Sequence, residues 1–304
     1  MKRKLAAITI DIEPDYANTK GDIRLFDEPA LFERFVDIVK RNNIKVTGFL
    51  VTSILGRYGE SVRKLAREIP IEFGLHSHHH NTETSGNRDE IELCARTFRQ
   101  FFGHDALGYR APIGAMTRDG LNNLMDLGFR YDASVFPSVR PGKNGYINLH
   151  MPNVPFRVTR GNDFIIEFPF TALNGLRLQY GLGWVKLLGL PLYWWVERVF
   201  RLPYAAVFTM HPHDLYPPHI TDGVTALEKA ALLRNSARGF EYFEATLAHL
   251  KKNNYEFVHM SELCDYVQTL SNVRKMPIEQ WRYYLLKDFP WTNTSIATSK
   301  STPN

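Results

Sequence analysis

Short apolar segments alternate with amphipathic helical patterns along most of this chain, at a spacing of about 30 residues for each strand–helix unit. The apolar segments are rich in β-branched residues and occupy residues 5–12, 44–52, 71–75, 107–109, 129–135, 164–168, 205–210 and 255–259. Helical patterns occupy residues 29–42, 53–69, 87–102, 117–127, 225–250 and 261–270. Strands joined through helices form parallel sheets with right-handed crossovers, and several such units close most readily into a barrel. The alternation therefore predicts an α/β fold, and a (β/α) barrel in particular.

Some stretches do not follow this alternation. Prolines and glycines predict a long loop over residues 138–160. Residues 176–203 are rich in Trp, Leu and Arg, and residues 292–304 are polar without any periodic pattern. We therefore predict a barrel domain over residues 1–270 that carries 176–203 as an amphipathic insertion. A C-terminal extension over 271–304, with a disordered end, would follow it.

The composition is that of a soluble globular protein, with 44% hydrophobic and 23% charged residues and a formal net charge of +5. No run of Lys or Arg and no nucleic-acid motif accompanies this charge, so we expect no binding to DNA or RNA. A mildly basic surface also suits an anionic membrane or a phosphate-bearing substrate. The basic N-terminal residues precede an apolar run that is too short for a secretory signal, which predicts a cytoplasmic protein.

The chain has two cysteines, Cys94 and Cys264, and neither belongs to a CxxC pair. A metal–thiolate site is therefore not expected. We expect two buried, reduced thiols, with a single disulfide as the alternative, because nothing else in the sequence requires an oxidising compartment.

Histidines are concentrated at the end of one predicted strand. Four of the chain's 11 histidines lie in the segment HSHHH, residues 76–80, directly after an apolar run. Packing does not easily explain such a cluster, and His76 and His80 can converge on one ion in a tight loop. Two neutral imidazoles and a carboxylate form the ligand set of catalytic zinc, iron or cobalt sites. We therefore expect His76 and His80 to bind a metal, while His78 and His79 point elsewhere.

Carboxylates and an arginine follow other predicted strands. Asp11 and Glu13 lie at the end of the first strand, where residues i and i+2 point in the same direction. Arg110 follows the strand at 107–109. The carboxyl ends of parallel strands form the active-site rim of a barrel, so these side chains are expected to meet the histidines there. One carboxylate would bind the metal, the other would act as a base, and Arg110 would hold a carboxylate ionised. Solvated loop acids and an exposed arginine are the alternatives.

A second histidine segment, FTMHPHDLYP, begins in the strand at 205–210. His211 is a natural general acid for a leaving amine on the far side of the metal. We expect His213 and Asp214 to support it. Asp132, in the segment RYDAS, could orient a histidine by a hydrogen bond, and a structural role in a turn is the alternative.

Taken in order, these motifs resemble those of the polysaccharide deacetylase (NodB-homology) superfamily, carbohydrate esterase family 4, over roughly residues 5–265. TIDIE resembles the first motif, with Asp11 as catalytic base. HSHHH resembles the H-[ST]-x-x-H metal motif, which gives His76 and His80 as ligands. RAPIG resembles the R-x-P motif that positions the base through Arg110, and the strand ending in His211 resembles the motif that supplies the acid.

The first motif departs from the family's common pattern. Most members have two adjacent aspartates, base then ligand, but Ile12 follows Asp11 in this chain. The third metal ligand would therefore be Glu13, as in members with a D-x-[DE] pattern, with Asp15 as the alternative. The Asp–Trp pair of the fourth motif, which forms an aromatic wall, is not evident in this sequence.

The resemblance implies a distorted (β/α) barrel of seven or eight parallel strands. It also implies a hydrolase that removes an N-acetyl or N-formyl group from an amino sugar, such as a glycan precursor in cell-envelope polysaccharide synthesis. One divalent metal is implied, zinc in the first place, with cobalt, nickel and iron as alternatives. We expect Pro112, Tyr109 and Trp184 to contact the sugar. A deacetylase of soluble or polymeric glycan and a non-catalytic glycan- or lipid-binding barrel are the alternatives, whereas a metal-independent hydrolase of ureide rings would lack the His pair.

The Trp-rich insertion, residues 176–203, bears on the substrate. Lys186, Pro191 and Glu197 interrupt it too often for a membrane span. Its mixture of Trp, Tyr, Leu and Arg is typical of an interfacial helix or hairpin. On that interpretation the protein is peripheral on the inner face of the cytoplasmic membrane, and its amino sugar is linked to a polyprenyl carrier. The alternative is an ordinary amphipathic helix that caps the barrel.

Overall fold

The computed structural model describes residues 2–16, 18, 20–140, 145–220 and 223–286. Its strands are β1 (Leu5–Ile12), β2 (Val46–Leu50), β3 (Ile71–Leu75), β4 (Gly108–Tyr109), β5 (Tyr131–Asp132), β6 (Val139–Arg140), β7 (Tyr146–Ile147), β8 (Phe156–Arg160), β9 (Asp163–Glu167), β10 (Ala205–Met210), β11 (Glu256–Phe257) and β12 (Arg274–Pro277). Its α-helices are α1 (Arg24–Asp27), α2 (Pro29–Asn42), α3 (Leu55–Glu68), α4 (Arg88–Phe102), α5 (Arg118–Asp126), α6 (Leu182–Leu188), α7 (Leu190–Phe200), α8 (Ala226–Leu233), α9 (Gly239–Lys252) and α10 (Met260–Thr269).

Parallel strands form the main sheet of the described chain, in the order β10-β1-β2-β3-β4-β5-β9. Beyond them, β8 pairs antiparallel with β9 and carries β12 at its outer edge, while β11 pairs with the start of β1. The α/β class and the parallel strand order are therefore confirmed. Because the seven strands of this row run in the same direction, their carboxyl ends lie along one rim.

The segment after β9 approaches β10, which lies at the other end of this row of strands. The Thr171 N–H donates to the Val207 carbonyl at 3.4 Å, and the Thr171 hydroxyl accepts the Val207 N–H at 2.7 Å. A further bridge joins Gly181 to Thr209 of β10. These contacts bring the two ends of the row together without a regular ladder, in keeping with a distorted barrel.

Burial on both faces explains the continuously apolar strand sequences. All eight residues of β1 are buried, because β1 lies between β10 and β2 with packed side chains on either side. Each long helix presents an apolar stripe inward, and in α2 this stripe includes Phe32, Phe35 and Val39. Cys94 and Cys264 are buried free thiols, as predicted.

The sequence predictions failed at some elements. The single helix predicted over 225–250 is broken into α8 and α9, because Asn235 adopts a left-handed conformation with φ of 54°. The predicted loop at 138–160 contains β8, which extends the sheet through β9. β12, within the predicted C-terminal extension, also joins the sheet and has no counterpart in the sequence prediction. The predicted disordered end, residues 292–304, lies outside the described residues.

The Trp-rich insertion folds as the short helices α6 and α7, which meet at Gly189 with φ of 83°. Glu197 of α7 is buried and lies 2.9 Å from His249 Nε2 of α9, and Trp194 stacks on the same imidazole. Within the part of the chain that the structure describes, no helix has both the length and the apolar composition needed to cross a membrane.

Candidate active site

Strand ends place several polar side chains together on the carboxyl rim. Asp11 lies near the end of β1, Glu13 directly after it, His76 after β3 and His211 after β10. His211 Nε2 lies 3.7 Å from Asp11 Oδ2 and 3.8 Å from Glu13 Oε1. His76 Nε2 lies 3.2 Å from Glu13 Oε2. The structure therefore brings together side chains that the sequence predicted as base, acid and metal ligands.

Glu13, His76 and His80 form a compact group of ligand atoms, called the metal-binding group below. Glu13 Oε2 lies 2.5 Å from His80 Nε2, and the two imidazole centroids are 5.1 Å apart. The presenting loop is tightly wound, because Ser77 and His80 both have positive φ values, 61° and 55°. Burial alone would raise the pKa of Glu13, but the charge of His80 and hydrogen bonds with both histidines lower this pKa well below its usual range.

The hydrogen bonds of His76 make this group suited to a cation. His76 Nδ1 lies 2.7 Å from the Arg110 carbonyl oxygen, which can only accept, so the proton of the neutral ring resides on Nδ1. A hydrogen bond from Nε2 to Glu13 therefore requires a protonated ring, whereas in the neutral ring the Nε2 lone pair faces the carboxylate and two acceptors oppose each other. A divalent cation between them would convert this repulsion into attraction. The donor set, two imidazoles and one carboxylate, fits such a metal without fixing its identity.

The other two histidines of the segment have different partners. His78 Nδ1 lies 2.9 Å from the Thr52 hydroxyl, and His79 Nδ1 lies 2.9 Å from Glu90 Oε2. Glu90 of α4 also accepts the backbone N–H groups of His78 and His79, at 2.9 and 2.7 Å. These contacts anchor the loop to α4 and direct both rings away from the metal-binding group, as the sequence predicted.

Asp15 is the alternative to Glu13 as the third ligand, and the structure places it elsewhere. Its carboxylate accepts hydrogen bonds from the Tyr216 hydroxyl at 3.0 Å and from the Arg24 N–H at 3.4 Å. Burial raises the pKa of Asp15 to about 6. The carboxylate that faces the histidine pair is therefore that of Glu13.

Arg110 holds Asp11 in place. Its Nη1 lies 2.5 Å from Asp11 Oδ1 and 3.0 Å from the Thr9 hydroxyl. The guanidinium is fully buried and lies between the rings of Phe49 and Phe170, at 4.0 and 4.5 Å from their centroids. Because the pair is shielded from water, the charge-assisted hydrogen bond from Arg110 fixes the orientation of Asp11, which a general base requires.

His211 is the candidate acid. Its Nδ1 lies 3.3 Å from Asp214 Oδ2, and 35% of its side chain is exposed. Burial alone would lower the pKa of His211, but the hydrogen bond with Asp214 and the charges of Glu13 and Asp11 raise it to about 9. His211 is therefore protonated at neutral pH, with Nε2 free to donate a proton toward the rim.

His213 supports His211 from one side. The two imidazoles stack with centroids 5.0 Å apart at an interplanar angle of 14°, and His213 Nδ1 accepts the Tyr16 N–H at 3.2 Å. Burial and the charge of His211 lower the pKa of His213 to about 4. A neutral, hydrogen-bonded His213 suits the supporting role that the sequence predicted and does not suit an acid.

Residues 1–131 match the family model for polysaccharide deacetylases. The match spans the first 131 of 304 residues, and over this stretch the chain is similar to the polysaccharide deacetylase family. It includes Asp11, Glu13, His76, His80 and Arg110, and it ends before His211. The family indicates a carbohydrate deacetylase, which is a hydrolase, as the sequence predicted.

Solved structures share the fold at low sequence identity. A protein from Pseudomonas aeruginosa PAO1, described as a polysaccharide deacetylase, is 11% identical, with a TM-score of 0.58 over 90% of this chain and 93% of that chain. A protein of the same description from Mycobacterium smegmatis is 19% identical, with a TM-score of 0.53 over 90% and 94%. A CE4 family pseudoenzyme from Bacillus anthracis is 13% identical, with a TM-score of 0.50 over 87% and 66%. No curated protein matches the chain significantly.

A buried pair of carboxyl groups lies on two neighbouring strands of the sheet, β5 and β9. Asp132 of β5 and Glu167 of β9 are register partners and are both fully buried. The Ser134 hydroxyl donates to Asp132 Oδ1 at 2.6 Å, and the Val135 N–H donates to Glu167 Oε1 at 2.8 Å. Burial raises the pKa of both groups, and the charge of Asp132 raises that of Glu167 further. The pair therefore retains a proton. The hydrogen bond of Asp132 with Ser134 supports the turn after β5, which is the alternative that the sequence offered to orienting a histidine.

We expect this pair to make the folded protein less stable as the pH rises. A carboxyl group whose pKa is higher in the folded state contributes stability below its unfolded pKa, and that contribution is lost as pH rises through the folded pKa. Glu167→Gln keeps the hydrogen bonds and removes the retained proton. A tenfold change in proton affinity corresponds to about 1.4 kcal/mol. Between pH 5 and 8, the free energy of unfolding should therefore fall by roughly 1–3 kcal/mol more in the wild type than in the variant. Urea titrations measure both, and parallel declines would contradict the shared proton.

Two of the predicted sugar contacts are wrong. Tyr109 is fully buried, and its hydroxyl donates to the Ser85 carbonyl at 2.7 Å. Pro112 is buried at the start of a short 3-10 turn. Tyr109 therefore offers no surface to a sugar, and Pro112 offers little. Trp184 is partly buried on α6, where its indole N–H donates to Gln179 Oε1 at 2.6 Å, and its contact with substrate stays a prediction.

Lys186 lies at the site, although the sequence did not predict it as a site residue. Its Nζ lies 3.2 Å from Asp214 Oδ1, and only 4% of the residue is exposed. The sequence does carry a signal, because Lys186 is the one charged residue within the segment GLGWVKLLG. Lysine is seldom buried without a partner, so a lone lysine in an apolar helix indicates a buried carboxylate nearby.

Proposed function

We propose that this protein is a metal-dependent hydrolase that removes an N-acetyl or N-formyl group from an amino sugar. The observation that carries the proposal is that Asp11 and His211 lie on the same rim as the metal-binding group. His211 Nε2 lies 3.7 Å from Asp11 Oδ2 and 3.8 Å from Glu13 Oε1, so the proposed acid and base face the same small space.

Amide hydrolysis needs an activated water, stabilisation of negative charge on oxygen and a proton for the departing amine. Glu13, His76 and His80 would hold a divalent metal, which would supply Lewis-acid chemistry for the amide carbonyl and for water. Asp11, held by Arg110, accepts a proton from the attacking water. His211 donates a proton from Nε2 to the amine nitrogen as the C–N bond breaks. The products are a short carboxylic acid and a free amino sugar.

For the metal we propose zinc. Two imidazole nitrogens and one carboxylate oxygen are the protein ligands of several catalytic zinc sites. Cobalt, nickel and iron are the alternatives, because they accept the same nitrogen and oxygen donors. Element analysis of the purified protein distinguishes them.

We also propose that the amino sugar is presented at a membrane surface, on a polyprenyl carrier at the inner leaflet. Along α7, the residues Leu192, Trp195 and Val199 form an apolar stripe with 48%, 64% and 57% of their surface exposed. Arg198 and Arg201 are also exposed at this end of the insertion. A short helix with exposed Trp and Leu beside Arg suits the headgroup region of an anionic bilayer. The protein would then be peripheral on the cytoplasmic face of the membrane.

We expect Trp195→Glu to weaken binding to anionic phospholipid vesicles by about tenfold or more. Withdrawing a large apolar side chain from an apolar environment costs roughly 1.5–3 kcal/mol, and about 1.4 kcal/mol corresponds to a tenfold change in affinity. Vesicle flotation measures the effect. The matched control is Leu107→Glu, which adds the same charge at an apolar residue that is 40% exposed and precedes β4, at the end of the strands opposite the rim. A wild type that does not float, or equal losses in both variants, would count against the membrane proposal.

The hydrolase proposal is tested by following the release of amine and of acetate or formate from N-acylated amino sugars. Free sugars, polymeric glycans and polyprenyl-linked sugars form the panel. We expect amine and acid in equal amounts, with the lipid-linked sugars turned over fastest. Turnover of polymeric glycan alone would favour the alternative deacetylase, and sugar binding by metal-loaded protein without any turnover would favour a non-catalytic barrel.

A further inference from the structure

A line of alternating charges runs from α6 to the catalytic base. Lys186 Nζ lies 3.2 Å from Asp214 Oδ1, and Asp214 Oδ2 lies 3.3 Å from His211 Nδ1. Asp214 Oδ2 also accepts the His211 backbone N–H at 3.0 Å. On the other side of the imidazole, His211 Nε2 faces Asp11 Oδ2 at 3.7 Å. Lys186 is therefore connected to the acid through a single carboxylate.

Lys186 and Asp214 depend on each other for their charges because both side chains are buried. Asp214 and Lys186 are 7% and 4% exposed, and either charge would be costly to bury without the other. Burial alone would raise the pKa of Asp214, and the charge of Lys186 is the largest of the contributions that lower it instead. Lys186 therefore keeps Asp214 ionised, and an ionised Asp214 can accept the Nδ1 proton of His211.

The fold holds α6 directly over Asp214. A bridge at Gly181 joins the start of α6 to β10. A Cβ atom at Gly183 would lie 3.2 Å from Asp214 Oδ1, so the helix backbone approaches the carboxylate closely. At the end of α6, the Asn235 side chain donates to the Lys186 carbonyl at 2.7 Å. The position of Lys186 is therefore set by contacts on both ends of its helix.

We propose that Lys186 is a positioning residue for amide hydrolysis, which acts through Asp214 to hold His211 oriented as the acid that protonates the leaving amine. This inference rests on the proposed function and deepens it. It makes α6 of the Trp-rich insertion a part of the active site. A purely structural Lys186 would stabilise the fold without a selective effect on the step that needs a proton.

Two acetylated substrates distinguish these roles. The amine of an N-acetyl amino sugar needs a proton to leave, whereas 4-nitrophenyl acetate releases a nitrophenolate that leaves without one. We expect Lys186→Met to lower kcat for the amide roughly 10–100-fold. Its KM, its metal content and its hydrolysis of the ester should stay near those of the wild type. Lys186→Arg keeps the charge and should recover much of the amide activity.

Asp214→Asn provides an independent variant. If Lys186 acts through Asp214, adding Lys186→Met to Asp214→Asn should lower kcat for the amide by no more than about twofold, because the two residues then share one effect. Each single variant leaves one buried charge without its partner, but the double variant does not. A loss of amide hydrolysis without a loss of ester hydrolysis in the double variant, relative to the wild type, supports the path through Asp214 even where a single variant does not fold. Equal losses on both substrates, no loss on either, or additive losses in the double variant would overturn the inference. An inactive wild type would overturn the proposed function and, with it, the role of Lys186.

Discussion

Asp11→Asn should lower amide hydrolysis roughly 10²–10⁴-fold while the metal content of the protein stays unchanged. Asparagine keeps the shape of the side chain and can still accept the Arg110 Nη1 hydrogen bond, which is 2.5 Å long in the wild type. An amide oxygen is too weak a base to accept a proton from water. Asp11 is also outside the metal-binding group, so the loss should appear in kcat. Amine release and element analysis of the same preparation measure both quantities.

The matched control for this variant is Asp15→Asn. Asp15 is a buried aspartate four positions further along, and its partners are Tyr216 and Arg24. We expect this variant to keep activity within about threefold of the wild type, because Asp15 has no direct role in proton transfer. Normal turnover by Asp11→Asn, or an equal loss in Asp15→Asn, would show that Asp11 is not the base.

His76→Ala and His80→Ala should each remove most of the bound metal and lower amide hydrolysis about 10³-fold or more. Loss of the metal removes several kcal/mol of transition-state stabilisation. Each 1.36 kcal/mol corresponds to about a tenfold change in rate, which gives the expected loss. Both imidazoles present Nε2 to Glu13 Oε2, at 3.2 and 2.5 Å, so either truncation leaves an incomplete ligand set. The number of metal ions per chain and the rate of amine release are measured together.

His79→Ala is the matched control, because it removes an imidazole from the same loop. The His79 ring is 60% exposed and is paired with Glu90, away from the metal-binding group. We expect it to retain the wild-type metal content and nearly all activity. Metal retention by His76→Ala and His80→Ala, or metal loss by His79→Ala, would contradict the assigned ligands.

The rim of the site could be predicted from the sequence because strand ends in a parallel barrel converge whatever the details of packing. Asp11, His76, Arg110 and His211 each lie at or directly after an apolar run, and the parallel order of β1, β3, β4 and β10 places them together. The choice between Glu13 and Asp15 was beyond this reasoning. It depends on the turn after Pro14, where Asp15 accepts a hydrogen bond from the hydroxyl of Tyr216, a residue distant in the sequence.

One wrong prediction, Tyr109, could have been avoided from the sequence, whereas the role of Lys186 depends on packing that no local pattern reveals. Tyr109 and Arg110 are adjacent, and neighbouring strand residues point to opposite faces of the sheet. Because Arg110 points toward Asp11 on the rim, the Tyr109 ring is expected on the opposite face. Alternation along the strand could have excluded Tyr109 as a sugar contact. Lys186 was beyond prediction as a partner of Asp214, because that pairing requires the docking of the inserted helix α6 against β10.

The most direct test of a metal-dependent amide hydrolase is amine release from an N-acylated amino sugar by one preparation in three states. These are the protein as purified, the protein after chelation, and the chelated protein after addition of about one equivalent of zinc. We expect amine release to disappear with the metal and to return when zinc is restored. Full activity in metal-free protein would contradict the metal dependence. Metal-loaded protein that releases no amine from any sugar of the panel would contradict amide hydrolysis.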